Sequence, residues 1–178
     1  MRISYLDLTN RIKANNGLVT VLSILDKAIT CITVILYIFL LVYAFFQSKY
    51  DNGILLYRSI LVPAVSFVVV SIFRRIISSP RPYEVYGFAP VLEKNTVGKS
   101  FPSRHVFSIF MIAMTYLQIS VTMAVVISLM GIVLAAIRVL GGVHFVKDVV
   151  AGIAIAVIIG VICYGVLCGV FGMLMLPF

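Results

Sequence analysis

The chain has 178 residues, 62% of them hydrophobic, with a net charge of +8 and a mean hydropathy of +1.17. Too few polar residues are present to cover a soluble domain of this size, and the strict alternation of an outer-membrane barrel is missing, so composition points to an all-α polytopic membrane helix bundle. The surplus of cations belongs at headgroup level or against an anionic ligand, and no soluble basic face is left for nucleic acid.

Residues 1–27 mix Arg2, Asp7, Arg11, Lys13, Asp26 and Lys27 with Leu18, Leu22 and Leu25 at helical spacing. They are expected to form an interfacial N-terminal segment, with no cleavable signal peptide. Residues 28–48 carry no charge and are long enough to cross a bilayer. A polar turn, Lys49 to Gly53, leads to a second span over 54–77. Arg58 lies near one end of that span, and Arg74 and Arg75 close the other. Residues 78–104 hold four of the chain's six prolines and form its one long loop, expected to be functional. Residues 106–137 contain no Asp, Glu, Lys, Arg or His. As one helix they would be about 48 Å long, well beyond a hydrocarbon core of about 30 Å, so they divide into two spans near Gln118-Ile119-Ser120. A polar interruption with a Gly141-Gly142 hinge covers 137–148, and a last apolar run ends the chain. The result is one domain, 1–178, with five crossings. Cys31, Cys163 and Cys168 lie in apolar runs without metal-site spacing and read as buried small hydrophobes. Glu84, Glu93, Lys94 and Lys99 read as solvated loop charges.

If 106–140 crosses twice, the end of the second span, the loop, His105 and His144 all lie at one membrane face. Arg74, Arg81, Arg104, His105, Arg138, His144 and Asp148 then meet there, at the ends of four helices. Arginine's planar fork of donors matches phosphate oxygens, and several guanidinium groups around one point need an anion between them. Helix N-termini near 103 and 144 add positive dipole ends, and Ser103 adds a hydroxyl. His144 and Asp148 are four apart and share a helix face. A carboxylate beside an imidazole fixes its tautomer and raises its basicity, while His105 is a second imidazole able to protonate a leaving oxygen. This residue set fits phosphoryl transfer through a covalent phosphohistidine. Singly, each residue has an ordinary explanation as a helix end, a cap or an interfacial side chain; only their joint spacing argues for a site.

The stretches RRIISSPRP (74–82), PSRH (102–105) and IRVLGGVHFVKD (137–148) resemble, in order and spacing, the signature motifs of the PAP2 superfamily, the type 2 phosphatidic acid phosphatases. That pattern is K-x6-RP, PSGH and SR-x5-H-x3-D, and the resemblance covers roughly residues 54–165. It implies His144 as nucleophile, Asp148 as its orienting partner and His105 as general acid. Arg74, Arg81, Ser103, Arg138 and the Arg104 backbone N–H would form the phosphate clamp. Three positions depart from the pattern: Arg74 stands for lysine, Arg104 for glycine, and Ile137 for the serine before Arg138. The family commonly has six membrane helices, so five to six are expected.

The resemblance further implies a lipid phosphatase that uses no metal or cofactor, with membrane lipids as its partners. Its substrate would be undecaprenyl diphosphate, phosphatidylglycerol phosphate or phosphatidate. A lipid phosphotransferase using the same histidine, or a non-catalytic lipid-phosphate binding protein, are the alternatives. Bacterial members mostly face outward, which implies a plasma-membrane enzyme with an extracytoplasmic site; the cation bias toward the site's face points the other way.

Overall fold

The computed structural model describes residues 2–92 and 96–166, with side chains from Asp7 to Gly165. Glu93, Lys94 and Cys168 lie outside the described residues. Seven α-helices follow in order: α1 Arg2–Lys13, α2 Asn16–Gln47, α3 Ile54–Ile77, α4 Pro82–Tyr86, α5 Arg104–Tyr116, α6 Val121–Leu140 and α7 Val146–Gly160; a π-helical turn, Val161–Val166, extends α7. No strand occurs among the described residues.

Local chemistry sets the boundaries. Asn15 breaks the N-terminal segment, its side-chain oxygen accepting from Leu18 N at 3.2 Å to cap α2. The segment 1–27 is therefore not one interfacial helix. Its second half, with Asp26 and Lys27, is the first third of a 32-residue α2. At the polar turn, Asp51 accepts from Gly53 N and Leu55 N, each at 3.0 Å, while Asn52 and Gly53 take left-handed φ values of 53° and 78°. The divide at 118–120 is as expected: Ser120 Oγ accepts from Met123 N at 3.3 Å and caps α6.

Four helical segments among the described residues are long and apolar enough to cross a membrane: Asn16–Gln47, Ile54–Tyr86, Val121–Leu140 and Val146–Gly165. Their outer faces carry large apolar side chains such as Phe39, Phe46, Ile72, Ile76, Leu129 and Ile158, the surface an integral membrane protein presents to lipid. The segment expected as a further crossing, α5, differs in kind. Its 13 residues reach about 20 Å, and most are buried against α6, α7, α3 and α2. It is the core element around which the others pack. Cys31 is exposed and Cys163 only partly buried, a correction to their reading as core residues: in a bundle with lipid outside, an apolar position need not face inward.

Two features fix the helices relative to one another. Pro63, buried inside α3, has no N–H to donate to the Ser59 carbonyl one turn earlier. Tyr37 on α2 supplies the missing donor, its hydroxyl bonding Ser59 O at 2.9 Å, so the two helices are joined where α3 would otherwise leave an unsatisfied group in an apolar medium. Gly152 on α7 lets the start of α5 approach closely: a Cβ there would lie 2.9 Å from the Ser103 carbonyl oxygen. Ser103 N in turn donates to the Asp148 carbonyl at 2.9 Å. The first turns of α5 and α7 are thereby held backbone to backbone.

Candidate active site

At the end of the bundle where α3 and α6 finish and α5 and α7 begin, the loop segments 78–92 and 96–103 fold into a cover. The order within that loop comes from its own polar groups. Arg81 is extended, with Pro82 opening α4, as the prolines imply. Glu84, expected to be solvated, instead accepts from Arg81 N at 2.7 Å and from Gly98 N at 2.9 and 3.0 Å. Tyr83 OH donates to Thr96 O at 2.6 Å, and Val91 N donates to Gly141 O at 3.0 Å. The outgoing and returning limbs of the loop are thus tied together and to the α6–α7 hinge.

The Arg81 guanidinium donates to Gly98 O at 3.1 Å, Val143 O at 2.9 Å and Lys99 O at 3.4 Å. Arg74 donates to the carbonyls of Pro102 and Lys99. Both are buried. These arginines shape the site before any ligand enters, because they bind loop carbonyls from three different segments.

His144 sits just before α7 and is 2% exposed. Its Nδ1 lies 3.5 Å from Asp148 Oδ2 and 3.4 Å from Ser100 Oγ. Asp148, fully buried in the first turn of α7, also accepts from Ser100 Oγ at 2.5 Å and from Phe145 N at 3.0 Å, all on Oδ2. The carboxylate is therefore locked in place and faces Nδ1, which sets the tautomer with hydrogen on Nδ1 and makes Nε2 the basic nitrogen. Burial pushes the His144 imidazole down to about 4, aided by the charges of Arg81 and Arg74 and opposed by Asp148. The imidazole is neutral at physiological pH, the form that can attack an electrophile.

A polar cavity of about 210 Å³ is lined by His144, His105, Arg74, Arg75, Arg81, Arg104, Lys99, Ser71 and Thr96. It holds five cationic side chains, and among the described residues no carboxylate lines it. Ser103 is buried, and its Oγ has no hydrogen-bond partner among the described residues. Lys99, expected as a solvated charge, is exposed but lines this cavity. Among the described residues, no three His, Cys, Asp or Glu side chains come together as a metal site.

Arg138 stands differently from the other arginines. It is buried and paired with Asp26 of α2, Nε to Oδ1 at 2.8 Å and Nη2 to Oδ2 at 3.0 Å. It does not line the cavity. Its carbonyl accepts from Val143 N at 3.2 Å and His144 N at 3.3 Å, so its backbone supports the turn that presents His144.

Of the residues singled out in the sequence, Arg74, Arg81, Arg104, His105 and His144 line one cavity, with Asp148 behind His144 and Ser103 beneath the α5 start. Sequence reasoning missed Ser100, Asp26 and the apolar wall of the site. Asp26 had a signal: it is an acid beside an apolar run in a chain dominated by cations. Ser100 had none.

Arg104 and His105 also line a second, apolar cavity of about 240 Å³ with Phe67, Ile109, Ile112 and Leu134. That cavity shares Phe67, Ser108 and Ile112 with a third, also of about 240 Å³, reaching Tyr37, Pro63 and Met111. These two adjoining cavities form an apolar groove, walled mainly by α2, α3 and α5, that borders the polar cavity at Arg104 and His105.

A membrane helix bundle with a cation-lined cavity and a histidine–carboxylate pair at one end defines a class of phosphate-handling membrane proteins. The PAP2 superfamily profile matches residues 53–168, and the chain belongs to that superfamily of phosphoric ester hydrolases. No curated protein matches it in sequence. Solved structures share the fold, two of them as follows. The crystal structure of Aquifex aeolicus LpxE is 21% identical, with 90% of this chain and 92% of that one aligned at a TM-score of 0.62. The crystal structure of the first transmembrane PAP2-type phosphatidylglycerolphosphate phosphatase from Bacillus subtilis is 21% identical, with 99% and 96% aligned at a TM-score of 0.60.

Proposed function

We propose that this protein is a lipid phosphatase that releases phosphate from a lipid phosphate or diphosphate through a phosphohistidine on His144. The observation that carries the reading is that the cation-lined cavity and the apolar groove adjoin at Arg104 and His105, which line both. A lipid phosphate has this shape: a multiply charged head on an apolar tail. The phosphate sits among Arg74, Arg81, Ser103 Oγ and the Arg104 N–H. The buried Ser103 Oγ, without a hydrogen-bond partner among the described residues, gains one. His144 Nε2 attacks phosphorus in line with the leaving oxygen, which His105 protonates. Water then attacks the phosphohistidine, with His105 as base. Asp148 holds His144 and offsets the charge of the imidazolium formed. Arg138, placed in the clamp by its motif, is held by Asp26 and would reach phosphate only by leaving that pair. The Bacillus subtilis relative, by its name, acts on phosphatidylglycerolphosphate; that lipid, phosphatidate and undecaprenyl diphosphate all fit the head-and-tail chemistry.

Phosphate release from detergent-solubilised protein, across a panel of these lipids, tests the reading. Turnover is expected with EDTA present, since the cations around the cavity take the part a metal would play, and orthovanadate should inhibit at millimolar levels as a mimic of the five-coordinate phosphorus. Activity lost in EDTA and restored by Mg²⁺ would overturn the metal-independent mechanism, and no release from any lipid would overturn the phosphatase itself.

The site is proposed to face away from the cytoplasm of a bacterial plasma membrane. The Asp26–Arg138 pair puts the start of α2 at the site's end of the bundle, so Arg11, Lys13, Lys27, Arg75, Lys99 and Lys147 lie toward that end and Lys49 and Arg58 toward the other. The positive-inside tendency opposes this orientation, but an anion site recruits cations for its own chemistry. Thr96 is exposed at the cavity rim. A single cysteine there, with Cys31, Cys163 and Cys168 changed to Ala, is expected to react with an impermeant maleimide in intact cells or spheroplasts. Labelling only after lysis would place the site on the cytoplasmic side.

A further inference from the structure

We propose that Arg104 is a specificity-determining residue that selects lipid diphosphates over lipid monophosphates by binding the phosphate nearer the tail. The inference rests on the phosphatase reading above and extends it to substrate class.

Arg104 and His105 are the two residues common to the polar cavity and the apolar groove, so the bond between the reacting phosphate and the rest of the lipid lies beside them. Arg104 is the first residue of α5, and its side chain is exposed. Its guanidinium lies 5.6 Å from the centre of the Phe67 ring on α3. An arginine over an aromatic face keeps its fork available for oxygen ligands while losing less freedom when it binds them. The family motif has glycine at this position, so this cation is a feature of this chain and not of the shared clamp.

Charge points the same way. Arg74, Arg75, Arg81, Lys99 and Arg104 line a cavity that has no lining carboxylate among the described residues. A second phosphate brings further negative charge to this surplus. In a monophosphate ester, the atom bonded to the leaving oxygen is carbon, and Arg104 meets nothing charged there. In a diphosphate that position is phosphorus, and its non-bridging oxygens fall at the junction. His144 Nε2 forms the bond to the terminal phosphorus as the bond from that phosphorus to the bridging oxygen breaks. The electron pair leaves on the lipid monophosphate, where Arg104 stabilises the added charge. Water then cleaves the phosphohistidine to inorganic phosphate and free His144.

The test uses a prenyl diphosphate and the prenyl monophosphate with the same tail, on wild type, Arg104→Gln and Arg104→Lys. Wild type is expected to favour the diphosphate in kcat/KM by at least about tenfold, the scale of a charge-assisted contact. Arg104→Gln should shrink that ratio to within about threefold, and Arg104→Lys should leave it between the two. An unchanged ratio in Arg104→Gln, or no wild-type preference, overturns this inference alone. Wild type inert toward both overturns this inference, and the phosphatase reading falls with it only if the other lipids of the panel also release no phosphate. Should Arg104→Gln fail to fold, competition in wild type decides: methylenediphosphonate should inhibit at least about tenfold more tightly than methylphosphonate, and equal inhibition overturns the proposal.

Discussion

His144→Ala is expected to abolish phosphate release from every lipid phosphate tested, a loss of at least about 10⁴-fold, because His144 is the imidazole that Asp148 orients for attack. Acid-quenched wild type should carry base-stable, acid-labile phosphate on protein, and the variant should carry none. His105→Ala should fall far less on an activated ester such as p-nitrophenyl phosphate than on an alkyl phosphate, since a good leaving group hardly needs protonation. Asp148→Asn should slow both formation and breakdown of the phosphoprotein, because Asp148 orients and stabilises the same imidazole in both steps. The pH profile has a worked sign. Protonation silences the nucleophile, and burial has lowered the His144 value to about 4 from an ordinary 6.5. After correction for the substrate's own ionisation, the acid limb of kcat/KM should therefore lie near pH 4 and not near 6.5. Labelled phosphate persisting on His144→Ala would end the assignment, and an acid limb near 6.5 would mean that His144 is solvated in the working enzyme.

Asp26→Ala should unfold or strongly destabilise the protein, by about 3–5 kcal/mol. Arg138 is buried in α6, and Asp26 holds it through both carboxylate oxygens. Removing the acid leaves an uncompensated guanidinium inside the bundle. Arg138→Met should do comparable harm by stranding Asp26. The double variant Asp26→Leu/Arg138→Met removes both charges and keeps apolar volume, so it should regain most of the thermal stability in detergent. Its phosphate release then reports on the clamp alone. A loss of tenfold or more is expected if Arg138 serves phosphate, whereas wild-type kcat/KM would take Arg138 out of the clamp. An Asp26→Ala protein as stable as wild type would show that the pair contributes nothing.

The sequence by itself determined the solvent and the chemistry. Runs of uncharged residues the length of a bilayer require helices, because backbone groups in lipid must be satisfied within their own segment. Thus α3 over 54–77 and the divide at 118–120 were legible in the sequence. The spacing of Arg74 with Arg81, of Ser103 with His105, and of Arg138 with His144 and Asp148 likewise gathered these residues at one end of the bundle, where Arg74, Arg81, His105 and His144 line one cavity. What only the tertiary structure decided is who meets whom across long separations. That Ser100 bonds Asp148, that Asp26 occupies Arg138, that Tyr37 satisfies the carbonyl freed by Pro63, and that α5 is the buried centre all depend on packing. Periodicity reports which residues avoid water, but in a membrane both the lipid face and the core do so. Hence Cys31 could be read as apolar yet not as outward-facing, and the groove that meets Arg104 and His105 had no signature in the chain. It is made of ordinary apolar side chains that become a site only when α2, α3 and α5 are brought side by side.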